Sequence, residues 1–229
     1  MGRPQRITEP GVAYHLLNRR VMRLPMFEKD GDYLAFEQVL AEGLGRLDAP
    51  GLLSYCLMPN HWHLVVLAGE RTNLSTWMQW VTVTHTHRWR THSRTTGEGP
   101  LYQGRFKSFP VEEDAHFLTV CRYVEANALR SGLVDRAEQW RWCSLWLRRT
   151  GEGPLRDRLA EWPVDRPRGW LADVNRPLAD EPLQEVRHAT VRGMPLGTDR
   201  WKARIAAKLR LDLTLRPRGR PRKAAQKSS

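Results

Sequence analysis

Apolar residues along this chain fall into short runs that predict strands, separated by longer segments with helical spacing. Residues Gly11 to Met22 mix apolar, aromatic and polar side chains and predict a first strand. The apolar run from Leu52 to Leu67 predicts a second strand or a hairpin, and Leu101 to Val111 predicts another strand.

Three further segments have the spacing of amphipathic helices. Asp30-Gly31-Asp32 supplies a start for a helix from Tyr33 to Leu47, and Leu74 to Arg90 predicts a second helix. Glu112-Glu113-Asp114 precedes a third, roughly Ala115 to Ala128. The alternation of strands and helices predicts an α+β fold, in which helices cover the faces of one antiparallel sheet.

The sequence changes character beyond about Thr150. Five prolines interrupt residues 151–182, so residues 151–180 are expected to be extended or to wrap around the core, and a last helix is predicted from Asp199 to Leu211. We therefore expect a folded domain at residues 1–150, a proline-rich wrapping extension with a terminal helix at 151–213, and a basic tail at 214–229 that is disordered until it meets a partner.

The net charge indicates which kind of partner the protein binds. The chain has 37 Lys and Arg against 25 Asp and Glu, which gives +12 and favours a polyanion, either nucleic acid or an anionic membrane surface. No apolar stretch approaches the ~20 residues that span a bilayer, and the N-terminus lacks the apolar segment of a secretion signal. Three widely spaced cysteines suit neither a disulfide framework nor a zinc cluster. We expect a cytoplasmic, nucleoid-associated protein that binds nucleic acid and no membrane.

The segment MPNHWHLVV, from Met58 to Val66, contains the most informative motif. Side chains alternate on a strand, so His61 and His63 share one face while Trp62 points to the other. Two imidazoles on a rigid edge can hold one divalent metal and leave coordination positions open for a substrate. The alternative is that both are ordinary polar positions of a half-buried strand.

Tyr123 and Asn127 form a second candidate pair. They are i and i+4 in the third predicted helix and therefore lie on one helical face. A tyrosine can be a covalent nucleophile, and an asparagine amide oxygen can complete the coordination of a hard metal. The alternatives are an amphipathic core position for Tyr123 and a helix-end position for Asn127.

Other histidines and the tryptophans have plainer explanations. His85, His87 and His92 in VTHTHRWRTH could indicate a metal cluster, but His85 and His87 are i and i+2 on the second predicted helix and do not face each other. A polar or DNA-facing helix surface is therefore predicted. His15 has no partner suggested by its spacing. Most of the ten tryptophans are expected to pack in the core.

Together these motifs resemble those of a known family. The segments LMPNHWHLVV, GEGPLYQGRFKSFPVEED, RYVEANALRSGLV and AEQWRWCSLW are similar to the single-tyrosine transposases of the IS200 type, and in particular to the REP-associated tyrosine transposases. The resemblance covers about residues 11–150, with a looser match from Val186 to Lys223. One departure is Ala128, because many relatives have a proline after the asparagine.

The resemblance implies an HUH endonuclease on a ferredoxin-like sheet, in which His61, His63 and Asn127 hold Mg²⁺ or Mn²⁺. It also implies that Tyr123 attacks a phosphate of single-stranded, REP-type hairpin DNA and forms a 5′-phosphotyrosyl link with release of a 3′-hydroxyl. Such a strand exchange needs no nucleotide cofactor. Relatives work as monomers or as homodimers.

Basic residues near these motifs are candidates for contacts with DNA phosphates. They are Arg105, Lys107 and Arg122 in the core, and Arg216, Arg218, Arg220, Arg222 and Lys223 in the tail. The tail resembles an AT-hook, whose flat Gly-Arg-Pro centre lies in a narrow minor groove. The alternatives are a solvated face for the core residues and non-specific phosphate affinity for the tail.

Two other functions compete with strand transfer. One is a catalytically silent DNA-binding protein on the same scaffold, which is disfavoured because the tyrosine and both histidines are present. The other is a metallohydrolase that releases its products with water. This second function is disfavoured because the chain is shorter than the ~250 residues typical of the barrel hydrolases that carry a His-x-His motif.

Overall fold

A four-stranded sheet is the central element of the computed structural model, which describes residues 6–93 and 99–216. Its strands are β1 (Ala13–Arg19), β2 (Gly51–Met58), β3 (His61–Leu67) and β4 (Lys107–Val111). The helices in the described residues are α1 (Asp30–Leu44), α2 (Leu74–Ser93), α3 (Ala115–Glu125), α4 (Asn127–Arg130), α5 (Ser144–Thr150), α6 (Trp170–Asn175), α7 (Asp180–Arg192), α8 (Asp199–Leu209) and α9 (Asp212–Leu215).

The order of the strands defines the fold. They are arranged β2-β3-β1-β4, and each neighbouring pair is antiparallel. With the connection β1-α1-β2-β3-α2-β4 this is a ferredoxin-like arrangement. The predicted α+β fold, an antiparallel sheet with helices on its faces, is therefore confirmed.

The sheet separates two apolar cores, because successive side chains of a strand point to opposite faces. On one face Trp62 packs in the core formed with Phe36 of α1 and Trp77 of α2. On the other face Val65 packs in a core with Phe117 of α3 and with side chains from α6 and α7. Because the histidine pair shares the face of Val65, it lies beneath α3.

The strand predicted at Leu101 to Val111 is shorter than expected. Only Lys107–Val111 joins the sheet as β4, and Tyr102 makes an isolated bridge to Arg20. The hydroxyl of Tyr102 accepts a hydrogen bond from the indole of Trp62 at 3.2 Å and lies 2.7 Å from Nδ1 of His85 on α2. These contacts hold Tyr102 beneath α2, so residues 101–106 do not continue β4.

Residues 151–180, expected to be extended or wrapping, include the short helix α6, and α7 follows directly. The prolines of this stretch therefore do not prevent helices from forming. Pro182 lies in the first turn of α7, where the missing N–H has no intrahelical partner in any case. Asp180 and Glu181 add favourable charge at that helix start. The last predicted helix ends at Leu209, where Arg210 takes a left-handed conformation.

The state of the cysteines and the length and apolarity of the helices can be compared with the sequence analysis. The three cysteines are free thiols and all are buried. In the part of the chain that the structure describes, no helix combines the length and the apolarity needed to cross a bilayer.

His85 was wrongly expected on a polar helix surface. It is buried, with its ring centroid 4.7 Å from that of Phe36 and 5.7 Å from that of Phe27. Burial lowers the pKa of His85 to about 3, so its imidazole is neutral in the folded protein at pH 7. His87, two residues further along α2, is exposed as expected.

Replacing His85 with Gln should make folding less sensitive to acid. The pKa of His85 is about 3 in the folded state and ~6.5 in an unfolded chain. Between these values the unfolded state binds the extra proton, so stability falls as the pH is lowered. One such group contributes up to about 1.4 kcal/mol per pH unit. Urea unfolding should therefore show a smaller loss of free energy from pH 7 to pH 5 in His85→Gln than in the wild type.

His87→Gln supplies the control, because it makes the same substitution at an exposed position of the same helix. An acid sensitivity of His85→Gln equal to that of the wild type would contradict the assignment of a neutral, buried imidazole at this position.

Candidate functional site

The β2–β3 hairpin places the two histidines at one end of the sheet. β3 begins at His61, directly after the turn at Pro59 and Asn60. In the ladder with β1, His61 is opposite Arg19 and His63 is opposite Leu17. The two imidazole rings meet edge to face, with their centroids 5.0 Å apart and their planes at 79°.

Burial keeps both imidazoles neutral. His63 is buried and His61 half-buried. Burial, followed by the positive charges of Arg19 and Arg130, lowers the pKa of His61 to about 4. Burial first, and then the neighbouring histidines and the same two arginines, hold the pKa of His63 well below its usual range. A neutral imidazole keeps a nitrogen lone pair that can bind a metal at pH 7.

Each histidine has a partner at its Nδ1 atom. The amide oxygen of Asn60 lies 2.6 Å from Nδ1 of His61. Because an amide oxygen only accepts hydrogen bonds, His61 carries its proton on Nδ1 and has a lone pair on Nε2. Nδ1 of His63 lies 2.8 Å from Nε2 of His15, a third histidine on β1. Spacing along the chain suggests no partner for His15, and the pairing of β1 with β3 supplies one.

α3 crosses the histidine pair and brings Tyr123 to it. The ring of Tyr123 meets His63 edge-on, with centroids 5.8 Å apart, and is only 9% exposed. The helix starts at a fixed point because the side chain of Asp114 accepts the backbone N–H of His116 at 2.7 Å. Side chains from two distant segments thus meet on one face of the sheet.

Asn127 lies one turn beyond Tyr123, at the start of α4. Ala126 separates α3 from α4, but its backbone oxygen still accepts the N–H of Arg130 at 2.8 Å, and both Tyr123 and Asn127 face the histidines. Nδ2 of Asn127 lies 3.5 Å from Nε2 of His61, and its Oδ1 accepts a hydrogen bond from Arg130. A half-turn of the amide group would place the oxygen, the atom that binds hard cations, beside His61.

Arg130 is a site residue that the sequence analysis missed. It donates hydrogen bonds to Oδ1 of Asn127 at 2.7 Å and to the backbone oxygen of Tyr123 at 3.0 Å. Its guanidinium carbon lies 4.0 Å from the centroid of the Tyr123 ring. Burial lowers the pKa of Arg130, but an arginine stays charged in proteins. Its spacing, three residues after Asn127 and seven after Tyr123, could have indicated a shared helical face.

Glu125 anchors the helix that carries Tyr123. Its carboxyl group is buried and accepts hydrogen bonds from Ser144 of α5 at 2.6 Å and from the indole of Trp170 of α6 at 2.7 Å. Ser54 of β2 donates a third bond at 3.3 Å. The carboxyl group therefore ties α3 to three other elements, and its loss would leave the indole of Trp170 without an acceptor in the interior.

Two core basic residues lie toward the β4 edge of the sheet. Lys107 is opposite Leu17 of β1, which is itself opposite His63, so Lys107 belongs to the same cross-strand row as the histidine. Arg105 is exposed just before β4. Arg122 points elsewhere, because its guanidinium donates to the backbone oxygens of Arg176 at 2.6 Å and Pro177 at 3.0 Å. Its contact with phosphate stays a prediction.

A basic cavity of about 750 Å³, which we name the β4 groove, lies between β4 and the C-terminal helices. Its charged lining consists of Arg6, Arg105, Lys107, Arg192 and Arg210, and no acidic residue is among the described residues that line it. Arg216, the last described residue, accepts a hydrogen bond from Arg192 through its backbone oxygen. Arg218, Arg220, Arg222 and Lys223 of the tail lie outside the described residues.

Glu112, Asp114 and His116 form another group with ligand atoms within 4.8 Å of one another. Their hydrogen bonds serve helix starts. Glu112 accepts the backbone N–H of Thr198 at 2.6 Å, just before α8, and Asp114 accepts from the backbone and from the ring of His116. Helix capping explains this cluster without a metal.

Fold and site place the chain among the α+β proteins with a ferredoxin-like sheet and a histidine pair beneath a helix that carries a tyrosine. A family model described as IS200-like transposase matches residues 9–127, just over half of the chain, and the chain belongs to this family. No curated protein sequence matches the chain.

Two solved structures are similar to this one. The first is a REP-associated tyrosine transposase bound to a REP hairpin. It has a TM-score of 0.51 and 16% identity, and the match covers 72% of this chain and 95% of that one. The second is a candidate transposase from Deinococcus radiodurans, with a TM-score of 0.37, 15% identity, and coverage of 55% and 93%. The first match supports the fold assignment.

Replacing Glu125 with Leu should destabilise the protein. The indole of Trp170 would lose its acceptor in the interior, whereas Ser144 could donate to the backbone oxygen of Tyr55 at 3.3 Å. A stranded donor costs about 1–3 kcal/mol, so we expect the free energy of unfolding, measured with urea, to fall by about 2 kcal/mol. Glu125→Gln keeps one acceptor oxygen and should lose clearly less. Equal losses in the two variants would count against the anchoring role.

Proposed function

We propose that this protein is a metal-dependent DNA strand transferase that cuts single-stranded, REP-type hairpin DNA through a 5′-phosphotyrosyl intermediate. The observation that carries the proposal is the proximity of Tyr123 to a buried, neutral histidine pair, with ring centroids 5.8 Å apart at His63. Membership of the IS200-like transposase family supports the reaction class. The REP hairpin bound by the similar solved protein suggests the substrate class.

The donor set fits Mg²⁺ or Mn²⁺. His61 and His63 would each supply a neutral imidazole nitrogen, and Asn127 would supply an amide oxygen, while other positions stay open for phosphate oxygens. The low pKa of both histidines supports this assignment, because no proton must leave before a cation binds. When bound, the cation supplies electrostatic stabilisation of the charge that builds on the phosphate and on the leaving 3′-oxygen.

Tyr123 would act as the nucleophile. A bond forms between its phenol oxygen and phosphorus while the bond from phosphorus to the 3′-oxygen breaks. The phenol loses a proton and the 3′-oxygen gains one, so the exchange balances without water or a nucleotide. A tyrosine has a free pKa of ~10 and needs assistance near pH 7. The guanidinium of Arg130, 4.0 Å from the centroid of the Tyr123 ring, places a positive charge beside the group that would attack.

The same groups would serve the second half of the reaction. The 3′-hydroxyl of another strand attacks the phosphotyrosine, and the phenolate leaves. Arg130 stabilises the negative charge that returns to the phenol oxygen. One phosphodiester is thereby exchanged for another.

The Tyr123→Phe variant tests the nucleophile. The wild type incubated with REP-type hairpin DNA and Mn²⁺ should form an adduct that survives a denaturing gel, and Tyr123→Phe should form none. Removing one oxygen leaves the ring packing intact, so binding of the uncleaved hairpin should be unchanged within about twofold. Addition of EDTA should abolish the adduct in the wild type.

Other outcomes identify the competing functions. Cleavage that persists in Tyr123→Phe would support a metallohydrolase that uses water. Tight binding by the wild type without cleavage or adduct, at every metal tested, would support a silent DNA-binding protein. Either result would overturn the strand-transferase proposal.

The β4 groove would carry the DNA away from the site. Lys107 lies two strands from His63, about 10 Å across the sheet, so a strand that leaves the site toward β4 reaches the groove directly. The five basic residues of the lining would contact phosphates. The AT-hook-like tail starts beside Arg192 of the groove, so it would follow the same DNA.

Charge reversal in the β4 groove should weaken DNA binding without changing the fold. For Arg105→Glu with Arg210→Glu, we expect hairpin affinity to drop by at least about tenfold near 0.1 M salt. The slope of log affinity against log salt should become shallower by about one to two. Arg156→Glu with Arg158→Glu is the matched control, because it changes the charge by the same amount and both exposed arginines lie by the β2 edge at the opposite side of the sheet. Equal losses in the groove variant and in this control would contradict this path.

A further inference from the structure

His15 is a buried polar residue in an apolar layer. It lies on β1, with Ala13 and Leu17 as its neighbours on the same face, and is 1% exposed. Phe109 of β4 packs against its ring at a centroid distance of 4.9 Å. A buried polar group is costly unless it is hydrogen-bonded. The bond between its Nε2 and Nδ1 of His63, at 2.8 Å, explains how an imidazole is tolerated there.

The geometry of the pair is that of an in-plane hydrogen bond. The two ring planes differ by 23°, and the centroids are 5.0 Å apart with the two nitrogens between them. Neutral imidazoles each carry one proton, so one of the two nitrogens donates and the other accepts. If His63 accepted, its proton would sit on Nε2 and neither of its nitrogens could bind a metal. If His63 donates, its Nε2 keeps a lone pair.

We propose that His15 is a positioning residue that accepts the Nδ1 hydrogen of His63 and so fixes His63 in the tautomer able to bind a metal through Nε2. This inference rests on the proposed metal-dependent function. The neighbouring histidine shows the same arrangement, because the amide oxygen of Asn60, which can only accept, holds the Nδ1 hydrogen of His61. Both imidazoles are thus held from the side away from the cation. Such outer contacts orient metal ligands and fix their protonated nitrogen.

Rigidity at His15 makes it suitable for this role. β1 is a central strand, paired with β3 on one side and with β4 on the other. His15 is opposite Val65 in the first ladder and opposite Phe109 in the second. Its ring therefore cannot turn away without disturbing a packed layer, and the direction of its acceptor is set by the sheet.

Two variants of the full-length protein separate the acceptor from the packing. His15→Phe keeps an aromatic ring but removes the acceptor, whereas His15→Gln keeps an oxygen that can accept from Nδ1 of His63. Calorimetric titration with Mn²⁺ alone should show affinity reduced by about 10–100-fold in His15→Phe and by only a few-fold in His15→Gln. Equal affinity in His15→Phe and in the wild type would overturn the inference.

The tautomer can be measured without any metal. Nitrogen-15 NMR of the metal-free wild type should show His63 protonated at Nδ1 and unprotonated at Nε2. Protonation at Nε2 would overturn the inference, whether or not His15→Phe folds. Failure of the proposed function would give a different result from failure of this inference. The wild type itself would then bind no Mn²⁺, while the NMR measurement would still decide the role of His15.

Discussion

α3 is held against the face of the sheet that carries the histidine pair, and the distances in the site follow from that packing. Phe117, Val120 and Val124 are fully buried at this contact, and Glu125 ties the helix to β2, α5 and α6. A helix turns by about 100° per residue, so a slip of one position would direct Tyr123 away from His63. Apolar packing sets the distance of α3 from the sheet. The buried carboxyl group of Glu125 sets the rotation of the helix about its axis and its position along that axis.

Burial also determines the protonation of the site. Beneath α3 the histidines lose access to water, which disfavours their charged forms and leaves them neutral over the physiological pH range. When two neutral imidazoles share a hydrogen bond, one must donate and the other must accept. For His61 the acceptor is the amide oxygen of Asn60. The packing of α3 is thus the common cause of the neutral imidazoles and of the close approach of Tyr123.

Local periodicities predicted much of this arrangement. The period of two placed His61 and His63 on one face, and the i, i+4 spacing placed Tyr123 and Asn127 on another. The pairing of His15 with His63 could not be derived in this way, because it depends on the register between β1 and β3, which long-range packing determines. Local propensity likewise could not show that Tyr102 would be drawn under α2. Arg130 was predictable from helical spacing and was overlooked.

The positive charges around the site affect how a metal cation and DNA would bind together. Arg19 and Arg130 both disfavour protonated histidines, and the same field disfavours a metal cation at that position. A phosphate that enters between the arginines and the imidazoles reverses this balance, because its negative charge attracts both the guanidinium groups and the cation. Metal and DNA should therefore each strengthen the binding of the other, as thermodynamic linkage requires once either does so. Acidic ligands would offset the positive field by themselves, whereas neutral imidazoles would leave a metal affinity that a bound phosphate raises.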